Sequence, residues 1–137
     1  MFKKIFVPVD LAHKDDLSRA LVTAANLAKL GDAEVVYLGV HASAPSPTAQ
    51  SSIEFAAQLD DFAAEQAQAH QIRTSTLPTL SKDQTIDTGP AIVAAAEENG
   101  ADLIVMASHI PGWIDHVFHS NAGYVASHAG ISVFVVR

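Results

Sequence analysis

The 137-residue sequence has no cysteine and only 8 lysine or arginine residues. Without cysteine, the chain has no disulfide, no thiolate nucleophile and no thiolate metal ligand. The 15 aspartate and glutamate residues give a formal net charge of −7. This balance argues against a nucleic-acid partner, because binding to a phosphate backbone requires clustered lysine and arginine. An anionic ligand would have to be held by backbone N–H groups or by a metal ion.

Long apolar runs are also absent. The longest extend over five or six residues, whereas roughly 20 are needed to cross a bilayer, so we expect no membrane segment. The N-terminal run in "MFKKIFVPVD" contains Pro8 and ends at Asp10, too early for a signal peptide, so we expect a cytoplasmic protein. A hydrophobic content of 49% in a chain of this length predicts a single domain over residues 1–137.

Five short runs predict strands, at residues 5–9, 34–40, 72–77, 103–107 and 131–136. All except the third are nearly continuous in apolar residues, a pattern typical of parallel strands covered on both faces. The third is weak, and either half of residues 72–89 supplies a strand equally well. Pro8 is an objection to the first strand, because proline is disfavoured inside a central strand.

Four helical patterns separate these runs. In the first, apolar residues recur every three or four positions over residues 17–28, with Asp15 and Asp16 in the opening turn and Gly31 at the close. The second covers about residues 51–70 and carries one stripe formed by Phe55, Leu59, Phe62 and Gln66. The third begins at "TGP" and ends at Gly100, and the fourth runs from near Ser120 to Ala129.

The alternation of strands and helices predicts a doubly wound α/β fold, in which a five-stranded parallel sheet has helices on both faces. Ligands of such sheets bind beyond the carboxyl ends of strands, where strand order reverses. Asp10, Val40 and the segment 107–121 all follow predicted strand ends. The Asp10 carboxylate is able to accept hydrogen bonds from a base or ribose, or to cap the following helix, and the sequence favours neither role.

Two common phosphate-binding motifs are missing. No G-x-G-x-x-G follows the first strand and no G-x-x-x-x-G-K-[ST] occurs in the chain, which excludes the dehydrogenase and P-loop classes. The remaining candidate is the segment after the fourth strand, which leads to a helix predicted to start near Ser120. The unpaired N–H groups of that helix end would form a general anion site, with Ser120 as the N-cap.

The sequence resembles the universal stress protein family over its whole length. The resemblance is carried by "KKIFVPVD", "GDAEVVYLGVH", "ENGADLIVMASH" and "SNAGYVASHAGISVFVVR", in that order. It implies a flavodoxin-like sheet and a homodimer formed through the last strand, Ser132 to Val136, which would add an antiparallel strand across the interface. The start A-S-H-x-P and the end S-N-A of the segment after the fourth strand are typical of the family's F and G types.

The resemblance also implies an adenine nucleotide, ATP with Mg²⁺, as the ligand. In family members that bind it, an aspartate ending the first strand and an apolar residue ending the second hold adenine and ribose, which matches Asp10 and Val40. A motif G-x-x-G, about nine residues and then G-[ST] holds the phosphates. The candidate site residues are therefore Pro8, Val9, Asp10, Val40, Met106, Ala107, His109, Ile110, His119, Ser120 and Asn121.

The glycine motif is altered in this chain. Ala107, Ile110 and His119 stand where the three glycines would, Ser120 keeps the hydroxyl position, and the spacing is one residue short. Ile110 disfavours close approach of the backbone to a ligand, since its side chain is bulky and β-branched. A non-nucleotide-binding dimeric interaction protein with an unknown protein partner therefore stays open beside a nucleotide-binding stress-response regulator.

Metal binding and catalysis are weaker interpretations. His109, His116 and His119 do not have a recognised ligand spacing, so we expect no metal site. Ser108 beside His109, and Ser120 beside His119, are neighbours in sequence, and adjacency does not create the geometry of a nucleophile and its base. We expect a protein that is not an enzyme, although slow ATP hydrolysis is compatible with a bound nucleotide.

Overall fold

Five parallel strands form a sheet in the structure, a computed structural model that describes residues 1–39, 49–78, 88–108 and 117–137. The side chains of residues 12, 13, 49–52 and 117–120 lie outside that description. The strands are β1 (Lys4–Val9), β2 (Glu34–Gly39), β3 (Arg73–Leu77), β4 (Leu103–Ala107) and β5 (Ser132–Val136). Their order across the sheet is β3-β2-β1-β4-β5, with every neighbouring pair parallel. The predicted doubly wound five-stranded sheet is confirmed.

Helices cover both faces of the sheet. They are a 3₁₀ helix (Leu11–Leu17) and the α-helices α1 (Ser18–Gly31), α2 (Ala49–His70), α3 (Thr88–Glu98) and α4 (Val117–His128). Apolar residues of α1 and α2 pack on one face in a cluster that includes Ile5 and Val105. Those of α3 and α4 pack on the other face, around Phe6 and Ile104. Adjacent residues of β1 and β4 thus enter opposite cores, as the alternation of side chains along a strand requires.

The two edge strands differ in polarity. The edge strand β3 is rich in hydroxyl groups, and α2 satisfies two of them, since Thr74 donates to the Ala63 carbonyl at 3.0 Å and Thr76 to the Asp60 carboxylate at 2.5 Å. The weak pattern at residues 72–77 therefore does supply the third strand. The prediction that the β5 run is covered on both faces is wrong for this chain alone, because β5 is the other edge and leaves Phe134 46% exposed.

The first helix differs from its prediction at its start and agrees with it at its end, Gly31. Asp15 and Asp16 lie in the 3₁₀ helix, not in the first turn of α1. The 3₁₀ helix runs directly into α1, so its backbone carbonyls lie just before the first N–H groups of α1. No side-chain cap is made at Leu17. Gly31 is the last residue of α1, and Asp32 after it adopts the left-handed conformation that ends the helix. At Gly31 a Cβ would lie 2.6 Å from the Phe2 carbonyl oxygen, so a residue without a side chain is required for packing.

The other three helices agree with the predicted positions within a few residues, apart from the start of α4. That helix begins at Val117, three residues before Ser120, so the prediction of Ser120 as the N-cap is wrong. Pro90 lies in the first turn of α3, where its missing N–H costs no helical hydrogen bond. Within the described residues, no helix has both the length and the apolar character that crossing a bilayer requires.

Candidate functional site

The two flanks of β1 differ in how far they pair with their neighbours. On one flank, β1 pairs with β2 over its whole length, Lys4–Val9. On the other flank, Ile5 and Phe6 are the only described residues of β1 that pair with β4. The ladder between β1 and β4 therefore ends at Phe6. Strand order reverses between these two strands, and open α/β sheets bind ligands in the crevice beyond the carboxyl ends of the strands at such a point, which we call the cleft.

Pro8 lies in the part of β1 that has no ladder bonds to β4. It pairs with Leu38 of β2, and its ring nitrogen carries no hydrogen for a ladder bond. The Lys4 carbonyl accepts from the Asp102 N–H, so by the alternation along the strand the nitrogen of Pro8 also faces β4, and its missing donor interrupts the ladder on that flank alone. Pro8 is accommodated in a central strand because its pairing with β2 is kept.

Three polar residues are buried in the described part of the chain, and all three belong to segments that follow β1 or β4. They are Asp10, Ser108 and Asn121, with exposed fractions of 5%, 8% and 7%. Elsewhere in the described chain, the buried residues are hydrophobic or glycine, apart from Pro8. Burial of polar groups is therefore concentrated at the carboxyl edge of the sheet, where the cleft lies.

Asp10 directly follows β1 and precedes the 3₁₀ helix, so it occupies a capping position as well as the edge of the cleft. The residue takes part in an interaction within the chain. An ionised carboxylate has two oxygens with about four acceptor positions, so it is able to hold such a contact and still accept a ligand's hydroxyl or amino hydrogen. Capping and ligand binding are compatible roles for this residue.

Ser108 follows β4 and is bonded to β5. Its backbone N–H donates to the Val136 carbonyl at 2.8 Å, which continues the β4–β5 pairing beyond Ala107. The chain after β4 is thereby drawn toward β5, while β1 continues along β2. Sequence reasoning considered Ser108 only as a partner of His109, although a polar residue directly after a buried strand was the signal for this position.

Several cations of the chain are engaged at the opposite edge of the sheet. The Lys3 Nζ donates to the Gly31 carbonyl at the end of α1, and the Lys4 Nζ to the Asn99 carbonyl just after α3. Arg73, at the start of β3, lies 3.6 Å from the Asp32 carboxylate. These three positive charges cannot neutralise an anion in the cleft, because parallel strands place their amino and carboxyl ends at opposite edges. An anion there would depend on N–H donors, as the charge balance of the sequence indicates.

The structure brings together part of the predicted site. Pro8, Val9 and Asp10 lie at the end of β1, Met106 and Ala107 at the end of β4, and Asn121 on α4, all of them buried. Val40, His109 and Ile110 lie outside the described residues, as do the side chains of His119 and Ser120. The backbones of the last two lie in the first turn of α4.

Metal-ligating side chains do not cluster in the described part of the chain, where no three histidine, aspartate or glutamate residues could hold an ion. Of the three histidines considered in the sequence, His109, His116 and the side chain of His119 are not among the described residues.

Comparison with known proteins places the chain in a family. Residues 1–137 match the profile of the Universal stress protein family. Two curated relatives named Universal stress protein G, from Shigella flexneri and from Escherichia coli O157:H7, are each 32% identical, with 100% of both chains covered. The chain therefore belongs to the universal stress protein family, and the predicted likeness to the G type is confirmed.

Solved structures of the family have the same fold. A universal stress protein from Archaeoglobus fulgidus in complex with dAMP aligns with a TM-score of 0.73 at 21% identity, covering 98% of each chain. A universal stress protein in complex with cAMP aligns with a TM-score of 0.72 at 20% identity, covering 99% of this chain and 97% of that one. At such identities the likeness shows the shared architecture.

Proposed function

We propose that this protein binds an adenine nucleotide in the cleft between β1 and β4 and acts as a nucleotide-dependent regulator in the stress response. The observation that carries the proposal is the burial of two polar residues, Asp10 after β1 and Ser108 after β4, where the strand order reverses and the ladder between these strands ends early. Relatives of the same fold that were solved with dAMP and cAMP support it.

The charge of Asp10 orients the ligand. A carboxylate accepts hydrogen bonds from ribose hydroxyls or an adenine amino group, and it repels phosphate. The nucleoside end of the ligand therefore lies toward Asp10, and the phosphate end lies toward β4 and α4. Val40 is expected to contact the base. Mg²⁺ would enter with ATP, bound mainly to its phosphates.

The proposal is tested by titration of protein that has been freed of copurified nucleotide. Addition of AMP, or of ATP with Mg²⁺, is expected to release saturable heat in a calorimeter and to raise the melting temperature. Guanosine nucleotides serve as the control for base selectivity. Neither heat nor a thermal shift at millimolar adenine nucleotide would contradict the proposal.

We propose a binding role without catalysis. A nucleotide that only occupies the cleft should be recovered intact after long incubation with the protein. Phosphate release from ATP, measured beside the Asp10→Ala variant, checks this. Turnover that disappears in the variant would show an ATPase at the same site.

We also propose a homodimer formed through β5. This edge strand exposes a row of unpaired backbone groups and the Phe134 ring, features of a strand that pairs with a second copy across a two-fold axis. Phe134→Lys is expected to give monomers in sedimentation experiments. Val22→Lys is a matched control, since Val22 on α1 is also 46% exposed. A wild-type monomer, or equal effects of the two variants, would contradict the proposal.

The apolar edge of β5 favours a second function, in which the chain is an interaction protein that binds no nucleotide. The two functions differ in their response to ligand. If β5 pairs while the cleft binds no adenine nucleotide in the titration above, the interaction function is the better account.

A further inference from the structure

The side-chain amide of Asn121 is buried and has no partner among the described residues. Its exposed fraction is 7%, and Nδ2 has no hydrogen-bond acceptor there. A buried amide donor without an acceptor destabilises the folded chain, since its hydration is lost and nothing replaces it. Such a group in a native protein requires an explanation, and one explanation is an acceptor supplied by a ligand.

The position of Asn121 on α4 places its amide at the edge of the sheet that contains the cleft. Val125, four residues later on the same helix face, belongs to the buried cluster that contains Ile104 and Met106. Because α4 returns from the carboxyl end of β4, Asn121 lies one turn nearer that end than Val125 does. Four helical residues cover about 6 Å and two strand residues about 7 Å, so the amide lies near the level of Ser108.

The surroundings of Asn121 favour an anionic acceptor. The residue follows the first turn of α4, and the amino end of a helix carries partial positive charge. Asp10, which repels an anion, ends the other strand of the cleft. Lys3, Lys4 and Arg73 are engaged at the opposite edge. The Asn121 amide, an uncharged donor near a helix start, thus suits a phosphate among the described residues.

We propose that Nδ2 of Asn121 donates a hydrogen bond to a phosphoryl oxygen of the bound nucleotide, so that this side chain makes the cleft select nucleotides over nucleosides. The inference rests on the proposed nucleotide-binding function and assigns a specificity-determining residue within it. It also means that the folded chain keeps a destabilising group whose acceptor arrives with the ligand.

The test compares AMP with adenosine on wild-type protein and on Asn121→Leu. The variant is expected to lose about tenfold or more in AMP affinity, the usual effect of losing a hydrogen bond to a charged group. Its affinity for adenosine should change by less than about threefold, which is below the effect of one neutral hydrogen bond. Without ligand, Asn121→Leu should melt about 2 °C or more above wild type, because a buried unpaired donor is removed.

Two further variants support the comparison. Asn121→Asp keeps the size of the side chain and replaces the donor with an acceptor. It should therefore lower AMP affinity more than the leucine variant does, and it should still bind adenosine. Asn26→Leu makes the same change at an exposed position of α1 and should leave AMP affinity unchanged.

The outcomes separate this inference from the function on which it rests. Wild-type protein that binds neither AMP nor adenosine overturns both. If wild-type protein binds AMP, two results overturn the role of Asn121 alone. Asn121→Leu either loses affinity for AMP and adenosine equally, or loses affinity for neither. A lower melting temperature of the ligand-free leucine variant would also overturn it, since a structural amide must then have been lost.

Discussion

The two flanks of β1 differ in the length over which they pair with a neighbouring strand. Toward β2, every residue of the strand is paired. Toward β4, pairing ends at Phe6, and a buried polar residue follows each strand, Asp10 after β1 and Ser108 after β4. The short ladder of an otherwise regular sheet thus coincides with polar burial at the point where strand order reverses.

Two unpartnered polar groups show the same contrast. Tyr37 on β2 is fully buried, with its ring edge-on to Phe62 at a centroid distance of 5.2 Å, and its hydroxyl has no partner among the described residues. The Asn121 amide is equally unpaired among those residues, but it lies on the helix that follows β4. Tyr37 belongs to an apolar cluster, whereas Asn121 is the group that the proposed ligand would satisfy.

The largest expected effect is at Phe6, the last residue of β1 that is paired on both flanks. Phe6→Ala should lower the free energy of unfolding by about 3–5 kcal/mol, because it leaves a cavity beneath α3 and α4. Phe6→Leu, which keeps most of the volume, should cost less than about 1.5 kcal/mol. Urea unfolding measures both. A loss below about 1 kcal/mol for the alanine variant would mean that the paired end of the strand is not the stable part.

The next effect is on the flank toward β4. Asp10→Ala should weaken adenine nucleotide binding about tenfold to a hundredfold, the usual loss for a hydrogen bond to a charged group. Calorimetry measures the affinity, and thermal melting shows whether the loss of the capping carboxylate also lowers stability. Asp16→Ala, an exposed aspartate six residues further on, is the control and should bind normally. Equal affinity of the Asp10 variant and wild type would remove Asp10 from the site.

The smallest effect concerns Tyr37 on β2, on the fully paired flank of β1. Burial raises the pKa of Tyr37 above its ordinary value. In the unfolded chain the phenol ionises near pH 10, whereas in the folded chain it stays protonated to higher pH. Stability is therefore present below about pH 10 and is lost as the pH rises above it, by about 1 kcal/mol at pH 11. Tyr37→Phe should lack this loss and bind nucleotide as wild type does, which urea unfolding at pH 8 and 11 and calorimetry would check. Parallel losses in both proteins would contradict the burial argument.

Much of the fold was predictable because it depends on local patterns. Near-continuous apolar runs such as 103–107 identify strands buried on both faces, and apolar spacing over residues 17–28 identifies a helix. The exposed side of Phe134 was not predictable, because the run that contains it has the composition of a central strand. Edge position is a property of strand order, which no single run contains.

The site was predictable in part. Asp10 could be found because a polar residue directly follows a buried strand. The early end of the β1–β4 ladder was missed, although the missing N–H of Pro8, treated only as an objection to a central strand, was its signal. The start of α4 was placed three residues late, because Ser120 has the chemistry of an N-cap but lies within the first turn.

The most direct test of the central claim is a ¹H–¹⁵N NMR titration of the wild-type protein with AMP. The account predicts saturable shifts at the amides of Val7, Val9 and Asp10, at Ala107 and Ser108, and at the Asn121 side chain. Residues of β3 and the amino ends of β1 and β2 should remain unchanged. No saturable shifts, or shifts concentrated away from the cleft between β1 and β4, would contradict the account.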